Sequence, residues 1–178
     1  KVSSTSANDA ELTTCDDDGT EDGYHIFNLS DADATVLNTL PSDVTLQYYE
    51  TYENALLENN PLSTGFTNTI PYNQTIYVRV EDNNACYGIN EVNLVVFELP
   101  NIEITDELLY CLNYYPELIT LTGGVINDVP NNYYFNWSTG ATTTEIQVNE
   151  VGNYTVSVTN TNGCSKESTI SIIQSNIA

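Results

Sequence analysis

The sequence predicts an all-β protein built from two small β-sandwiches in tandem. Three observations favour this fold class: turn signals recur every 8–12 residues, several segments alternate apolar with polar residues, and the four cysteines fall into two similarly spaced pairs. A length of 178 residues suits either one domain or two small ones, since domains commonly hold about 100–150 residues. The cysteine spacing favours two.

The first domain is expected over residues 11–99, after a polar tail or linker at residues 1–10. In its clearest strand, Ile76, Val78 and Val80 alternate with polar neighbours, which is the period of a half-buried strand. Two short helices are also expected, over Asp31–Leu40 after Ser30 as N-cap and over Tyr52–Glu58. The predicted strands are Tyr24–Leu29, Val44–Glu50, Gln74–Glu81 and Gly88–Phe97.

The second domain is expected over residues 100–178, because Pro100 ends the preceding strand and stiffens the crossing. Gly123-Gly124 and Asn162-Gly163 are turn signals between its strands. Both domains are predicted to be immunoglobulin-like. The predicted strands are Leu118–Thr122, Tyr133–Ser138, Glu145–Val148, Asn153–Thr159 and Glu167–Ile173.

The four cysteines allow three disulfide pairings, among which the sequence alone does not choose. Pairing within each domain, Cys15 with Cys86 and Cys111 with Cys164, is favoured because each bond then closes one set of strands. A domain of about 85 residues has a marginal core, so a covalent link is expected to stabilise it. Disulfides also predict an oxidising compartment, outside the cytosol.

The charge is strongly acidic, with 25 Asp and Glu against 3 Lys and Arg and a net charge of −22. Nucleic-acid binding requires a basic surface, and an anionic membrane would repel the chain. No segment has the roughly 18 apolar residues of a membrane span, so direct insertion is not expected. Bound cations would relieve the self-repulsion. The absence of Met indicates a fragment of a longer chain.

The acidic segment 16–22 is the candidate metal site. Asp18, Thr20 and Asp22 are spaced as the first oxygen ligands of a calcium loop, with Gly23 at the turn. Leu29 occupies the position where an EF-hand requires glutamate, so a different cage is expected. Other candidate ligands are Asp16, Asp31 and Asp33. The alternative is a solvated acidic turn that keeps the chain soluble.

Two single residues invite both a structural and a binding interpretation. Trp137, the only tryptophan, lies on the same strand face as Phe135, which favours a core position over a sugar-stacking platform. Arg79 is expected to form a structural ion pair with Glu50 or Glu81 rather than to recognise an anion.

Catalytic chemistry finds little support in the sequence. His25 is the only histidine, so neither a zinc site of several histidines nor a nucleophilic triad can be assembled. Adjacent tyrosines on a strand face opposite sides, which exposes rings for recognition or for cross-strand packing. The pairs are Tyr48-Tyr49, Tyr114-Tyr115 and Tyr133-Tyr134. We therefore expect a non-enzymatic protein.

Two stretches resemble known repeats. The segment from Cys15-Asp16-Asp17-Asp18-Gly19 to Gln74–Val80 resembles the Cys-Asp-Asp-Asp-Gly repeats of very large flavobacterial surface proteins exported by the type IX system. Phe135–Thr142, Val151–Val156 and Gly163-Cys164 resemble the PKD-like repeats of the same proteins, among which the gliding-motility adhesins are best known. One departure is Ala85 before Cys86, where such repeats have glycine.

The resemblance implies a segment of a cell-surface adhesin, active in gliding motility and attachment. Its partners would be the neighbouring repeats of the same chain and an external surface or glycan that the sequence does not identify. A carbohydrate- or protein-binding module attached to a secreted enzyme is the alternative.

Overall fold

The structure is a computed structural model, which describes residues 7–38, 40, 43–82 and 87–175. The chain folds into two compact units that divide between Glu98 and Leu99. None of the described helices has the length and apolar character needed to cross a bilayer. Both units are all-β, as the alternation of apolar and polar residues predicts.

The first unit is a sandwich of a larger and a smaller sheet. Its strands are β1 Ala10–Cys15, β2 Ile26–Asn28, β3 Thr45–Tyr49, β4 Gly65–Thr67, β5 Asn73–Glu81 and β6 Tyr87–Phe97. The larger sheet has the order β1-β6-β5-β3, in which β1 runs parallel to β6 and the other neighbours are antiparallel. The smaller sheet pairs β2 with β4.

Short helices connect the strands of the first unit. A 3₁₀ turn, Leu29–Ala32, leads into α1, Asp33–Val36, so this helical segment is shorter than predicted and begins before Ser30. The second helix, α2 Tyr52–Leu57, confirms its prediction. The Thr51 hydroxyl accepts a hydrogen bond from the first turn of α2, which satisfies an otherwise unpaired backbone donor.

The core of the first unit lies between its two sheets. Phe27 of β2 and the inward residues of β5 and β6 pack together there, and Leu29 and Val36 add the apolar side of the helical segment. Each fully buried Val, Leu or Ile contributes roughly 1.5–3 kcal/mol. The inward residues are Ile76, Val78, Val80, Val92, Leu94 and Val96.

The second unit is also a two-sheet sandwich. Its strands are β7 Glu107–Tyr110, β8 Ile119–Thr122, β9 Tyr134–Trp137, β10 Glu145–Val148, β11 Gly152–Thr159 and β12 Ser165–Gln174. The larger sheet has the order β7-β12-β11-β9, with β7 parallel to β12, and the smaller sheet pairs β8 with β10. Trp137, Phe135 and the buried residues of β11 and β12 form the core.

The two units have the same strand order and the same hairpin register. The first strand of each is parallel to the last, the last pairs with the penultimate strand, and the third completes the larger sheet. Five residues join β5 to β6, and five join β11 to β12. The equivalent pairs next to these connections are Val80 with Gly88 and Val158 with Lys166.

Most predicted strands are confirmed to within two residues, including β3, β5, β6 and β8 to β12. The sequence reading missed β1 and β7, which are the two parallel edge strands, and the three-residue β4. The described residues 7–9 precede β1 and are also bound to the sheet, since Asp9 accepts hydrogen bonds from the backbone of Glu91 and the side chain of Asn90.

Candidate functional site

The described cysteines lie at fixed positions in the strand order. Cys15 is the last residue of β1, where it faces Phe97 at the end of β6. Cys111 directly follows Tyr110, which faces Gln174 at the end of β12. Cys15 and Cys111 therefore occupy the same position in the two units, at the end of the first strand.

Cys164, the other cysteine of the second unit, stands at the opposite end of the last strand from Cys111. Cys164 directly precedes β12. Cys86 lies outside the described residues, and in the sequence it directly precedes Tyr87, the first residue of β6. In the second unit the last strand therefore separates Cys111 from Cys164.

The prediction of one disulfide within each domain is wrong. The disulfide joins Cys15 to Cys164, and Cys111 is a free thiol in the described part of the chain. The reason is geometric: the ten residues of β12 span about 30 Å, whereas a disulfide needs Cα atoms within roughly 7 Å. In the first unit Cys15 faces Phe97, whereas Tyr87, the residue that follows Cys86, lies at the opposite end of the eleven-residue β6.

Asp16, the first residue of the acidic loop after Cys15, is hydrogen-bonded to the residue that follows the loop. The carboxylate Oδ2 of Asp16 accepts a hydrogen bond from the backbone N–H of Gly23 at 2.9 Å. The Gly23 carbonyl in turn accepts from the Tyr72 backbone at 2.9 Å and from the Asn68 side chain at 2.8 Å. Gly23 has φ +78°, and a Cβ there would lie 2.9 Å from the Tyr72 ring, so this position requires glycine.

Asp16 is the buried residue of this loop, whereas residues 17–22 are exposed. Its side chain is buried, at 2% exposure, and its second carboxylate oxygen, Oδ1, has no hydrogen-bond partner. Removing a charged oxygen from water without a partner is unfavourable. The sequence predicted Asp16 as one of several candidate ligands and did not distinguish it from the others.

The other predicted ligands are engaged locally. Asp18 accepts from the Thr20 backbone at 3.2 Å and Asp22 from the Tyr24 backbone at 3.1 Å, as in ordinary Asx turns. The hydroxyl of Thr20, a third candidate, also donates to Asp18. The last two candidates accept from side chains, Asp31 from Asn28 and Asp33 from the Tyr48 hydroxyl. Among the described residues, no three His, Cys, Asp or Glu side chains form a group that could hold a metal. The calcium site stays a prediction.

Several carboxylates nevertheless lie close enough to the Tyr72 phenol to change its pKa. Burial raises the pKa of Tyr72, and the negative charges of Glu98, Asp16, Asp22 and Glu21 raise it further. The acidic residues of the loop therefore share their surroundings with Glu98, which follows the last strand of the unit.

Arg79 is fixed by its own unit. Its Nε donates to Glu81 at 3.0 Å, its Nη2 pairs with Glu81 and with Glu58, and its Nη1 donates to the carbonyls of Ala55 and Leu56. Each of the three guanidinium nitrogens therefore has at least one partner within the unit. These contacts are those of a structural ion pair.

The surroundings of Arg79 also explain its burial. The guanidinium lies 3.7 Å from the ring centroid of Tyr87 and against the last carbonyls of α2, where a cation is favoured. Burial lowers the pKa of Arg79, but the hydrogen bond and charge of Glu81 and the charge of Glu58 raise it overall. Glu50, the other expected partner, accepts from Thr69.

Trp137 belongs to the core of the second unit. It is 2% exposed, and its indole N–H donates to the Thr143 carbonyl at 2.8 Å. A sugar-stacking platform requires an exposed ring, so this position does not provide one. The neighbouring Tyr134, on the opposite face of the strand, is 72% exposed.

His25 has local partners, since its Nδ1 lies 2.9 Å from the Ile26 carbonyl and its Nε2 lies 3.5 Å from Asp17. Two buried amides hold the neighbouring loops, and neither was predicted. Asn68 accepts from the His25 backbone at 2.7 Å, and Gln74 accepts from the Thr69 backbone at 2.6 Å. A single amide residue forms no sequence pattern that indicates such a role.

Several solved structures show a distant likeness to this chain. The IG1+IG2 portion of DIP-gamma matches at 11% identity and a TM-score of 0.37, over 97% of this chain and 96% of that one. Drosophila N-cadherin EC1-4 matches at 14% and 0.33, over 75% and 42% of the two chains. The Bacteroides ovatus protein SGBP-B, solved with a mixed-linkage heptasaccharide, matches at 11% and 0.25, over 92% and 43%.

These likenesses concern the fold alone, and this chain spans less than half of the second and third of those chains. No curated protein matches the chain in sequence. A family profile does match: the Flavobacterium inter-domain disulphide bond domain, over residues 11–100. That range contains Cys15 and the whole acidic loop, and it covers half of the sequence. The chain therefore belongs to the Flavobacterium inter-domain disulphide bond domain family.

Proposed function

We propose that the chain is a non-enzymatic, load-bearing repeat segment of a large adhesin, exported by the type IX system to the surface of a gliding flavobacterium. The observation that carries the proposal is the disulfide between Cys15 and Cys164, which links two consecutive units of the same strand order. The family description and the resemblance to adhesin repeats support the setting.

The disulfide sets the path that a pulling force takes. A force applied at the two ends of the chain passes from Cys15 through the bond to Cys164. The residues between these cysteines lie inside a covalent loop of about 150 residues. At about 3.6 Å per residue, roughly 540 Å of chain cannot be extended while the bond is intact. Such a segment would transmit load without losing its folded units.

Single-molecule force spectroscopy tests this mechanism. The oxidised chain, pulled from its ends, should release only the residues outside the loop, about 100 Å of chain in all. The reduced chain, or the Cys15→Ser/Cys164→Ser variant, should release about 540 Å more. Cys111→Ser should behave as the oxidised parent does, since Cys111 is a free thiol. Equal extensions for oxidised and reduced chains would contradict the mechanism.

The cellular setting requires its own experiment. A fluorescent antibody fragment raised against residues 1–178 should label intact cells of a flavobacterium that carries the parent gene, and the label should move along the cell during gliding. Deletion of the parent gene should abolish gliding. Labelling that requires permeabilised cells would contradict a surface location.

Calcium is a further part of this proposal, with Asp16 as its anchor. The unpartnered Oδ1 of this buried carboxylate offers an oxygen to a cation, in a chain with a net charge of −22. Binding would require Asp18 or Asp22 to exchange its present backbone hydrogen bond for the ion.

Ligand recognition is the second candidate function, as a carbohydrate- or protein-binding module attached to a secreted enzyme. The exposed rings of Tyr114 and Tyr115, at 60% and 65% exposure, favour it. Glycan-array binding by the intact chain that is lost in Tyr114→Ala/Tyr115→Ala would support this function, and no binding above background would reject it for glycans.

A further inference from the structure

We propose that Cys111 forms a disulfide with the next unit of the parent chain, at the cysteine that directly precedes the last strand of that unit. This inference rests on the proposed function, because it needs a further unit after the second one. It adds a rule to that function: the end of the first strand in one unit bonds to the start of the last strand in the following unit.

The rule follows from the positions of the bonded cysteines. Cys15 faces Phe97, which is eleven residues after Cys86. The β7–β12 pairing extends by one step to place Cys111 opposite Ser175, which is eleven residues after Cys164. The two units therefore repeat the same cysteine register to the residue.

The bond already present shows which of these positions combine. Cys15 holds the first position in the first unit, and it bonds Cys164, which holds the second position in the second unit. Pairing of Cys111 with Cys164 inside the second unit is excluded by the length of the last strand. By the same combination, Cys111, which holds the first position in the second unit, would bond the cysteine at the second position of a third unit.

The surface around Cys111 also fits a protein partner. Cys111 is partly exposed and free, and the chain on either side of it carries large apolar side chains that are more than half exposed. These side chains are Leu109, Leu112, Tyr114, Tyr115 and Leu118. A run of exposed apolar residues is typical of an interaction surface. The free thiol therefore lies within a segment suited to burial against another unit.

The partner is recognisable by its sequence. Both units of this chain carry an Asx-x-Asn-small-Cys segment directly before the last strand, as Asp82–Cys86 and as Asn160–Cys164. We expect the same segment in the unit that bonds Cys111. Its cysteine and Cys111 together lose two protons and two electrons, which a small-molecule or protein disulfide accepts to become two thiols.

Two tandem proteins test the rule with the whole chain. Each joins residue 174 of one copy to residue 1 of a second, which leaves nine residues before the next β1, as residues 98–106 do between β6 and β7. The forward tandem carries Cys86→Ser in the first copy and Cys111→Ser in the second. The reverse tandem exchanges the two substitutions, so both proteins contain the same six cysteines.

After oxidation with glutathione disulfide, the forward tandem should contain no free thiol and yield a peptide that links Cys111 to Cys86. The reverse tandem should keep two free thiols, because its remaining Cys86 and Cys111 lie in the outermost units. Two free thiols in the forward tandem, with both Cys15–Cys164 bonds intact, would overturn the rule and leave the proposed function standing. A Cys111–Cys86 link in both tandems would also overturn it.

Discussion

Tyr48 in the first unit and Trp137 in the second occupy the same place in the fold. Tyr48 faces Val78 on β5, and Trp137 faces Val156 on β11, at the same distance from the hairpin connection. Each ring is buried in its core, and each polar atom has one partner: the Asp33 carboxylate for Tyr48 and the Thr143 carbonyl for Trp137. Both cores therefore contain a large aromatic ring at this place, and a nearby residue supplies the hydrogen-bond partner for its polar atom.

The units differ more on the opposite face of the same hairpin. Arg79 on β5 holds α2 through buried hydrogen bonds, whereas the equivalent residue on β11 is Ser157. The helix between the third and fourth strands is present in the first unit, and the described residues have none at that point of the second. The two units thus share a sandwich, but only the first has a helix held by a buried arginine. Substitutions at equivalent positions should therefore affect the two units differently.

The largest effect is expected from removing either core aromatic. Tyr48→Ala and Trp137→Ala should each destabilise by about 3–5 kcal/mol, because the ring is lost and a cavity remains. Hydrogen exchange should show faster opening in the mutated unit alone. Equal loss of protection in both units from one substitution would contradict the independence of the cores.

Arg79→Met should destabilise the first unit by about 2–3 kcal/mol. The change leaves Glu81 and the α2 carbonyls without their donor, although the exposure of Glu58 lessens the loss. Ser157→Ala, the matched change in the second unit, should stay within about 0.5 kcal/mol. Thermal unfolding followed by circular dichroism, with hydrogen exchange to assign the unit, measures both. A similar loss from the two changes would contradict the structural role of Arg79.

Asp16→Asn should change stability in a direction that depends on calcium. With a chelator present, the variant should melt higher than the parent by a few degrees, because an unpartnered buried charge is removed. With millimolar calcium the parent should gain and the variant should not. Asp128→Asn, in the second unit, is the control that should keep the gain. A parent melt that calcium leaves unchanged would reject the site.

The smallest effect concerns acid stability. The backbone N–H of Val129, followed by the Tyr133 hydroxyl, lowers the pKa of Asp128. The backbone of Glu91 does the same for the pKa of Asp9 in the first unit. A lowered carboxyl pKa adds stability above the unfolded pKa, and this contribution is lost as pH falls through the folded pKa.

Asp9→Asn and Asp128→Asn should each therefore lower the melting temperature of the unit that carries it near pH 7. The difference from the parent should shrink as pH falls below the ordinary carboxyl pKa, and vanish once the parent carboxyl is protonated as well. The melting temperatures of parent and variants across this range measure the effect. A difference that persists unchanged at the acid end would show that the carboxylate charge is not its source.

The strands that could be predicted from the sequence are those in which apolar and polar residues alternate. In β5 and β11 the apolar residues alternate because one face lies in the core, and that pattern is local. By contrast, the apolar residues of the edge strands β1 and β7 do not alternate clearly with polar ones in the sequences of Ala10–Cys15 and Glu107–Tyr110. The three residues of β4 are too few to show a period.

The disulfide was beyond sequence reasoning for a different reason. Spacing along the chain suggested that Cys111 and Cys164 belong to one domain, and both lie in the second unit. Their separation in space depends on the parallel register of β7 on β12, which puts them at opposite ends of one strand. Register of this kind is a tertiary property, so the spacing of cysteines favoured the wrong pairs.

Peptide mapping of the oxidised chain under non-reducing conditions, with free thiols alkylated before digestion, tests the disulfide itself. We expect one disulfide-linked peptide that joins Cys15 to Cys164, and an alkylated Cys111. A peptide that joins Cys111 to Cys164, or Cys15 to Cys86, would contradict it.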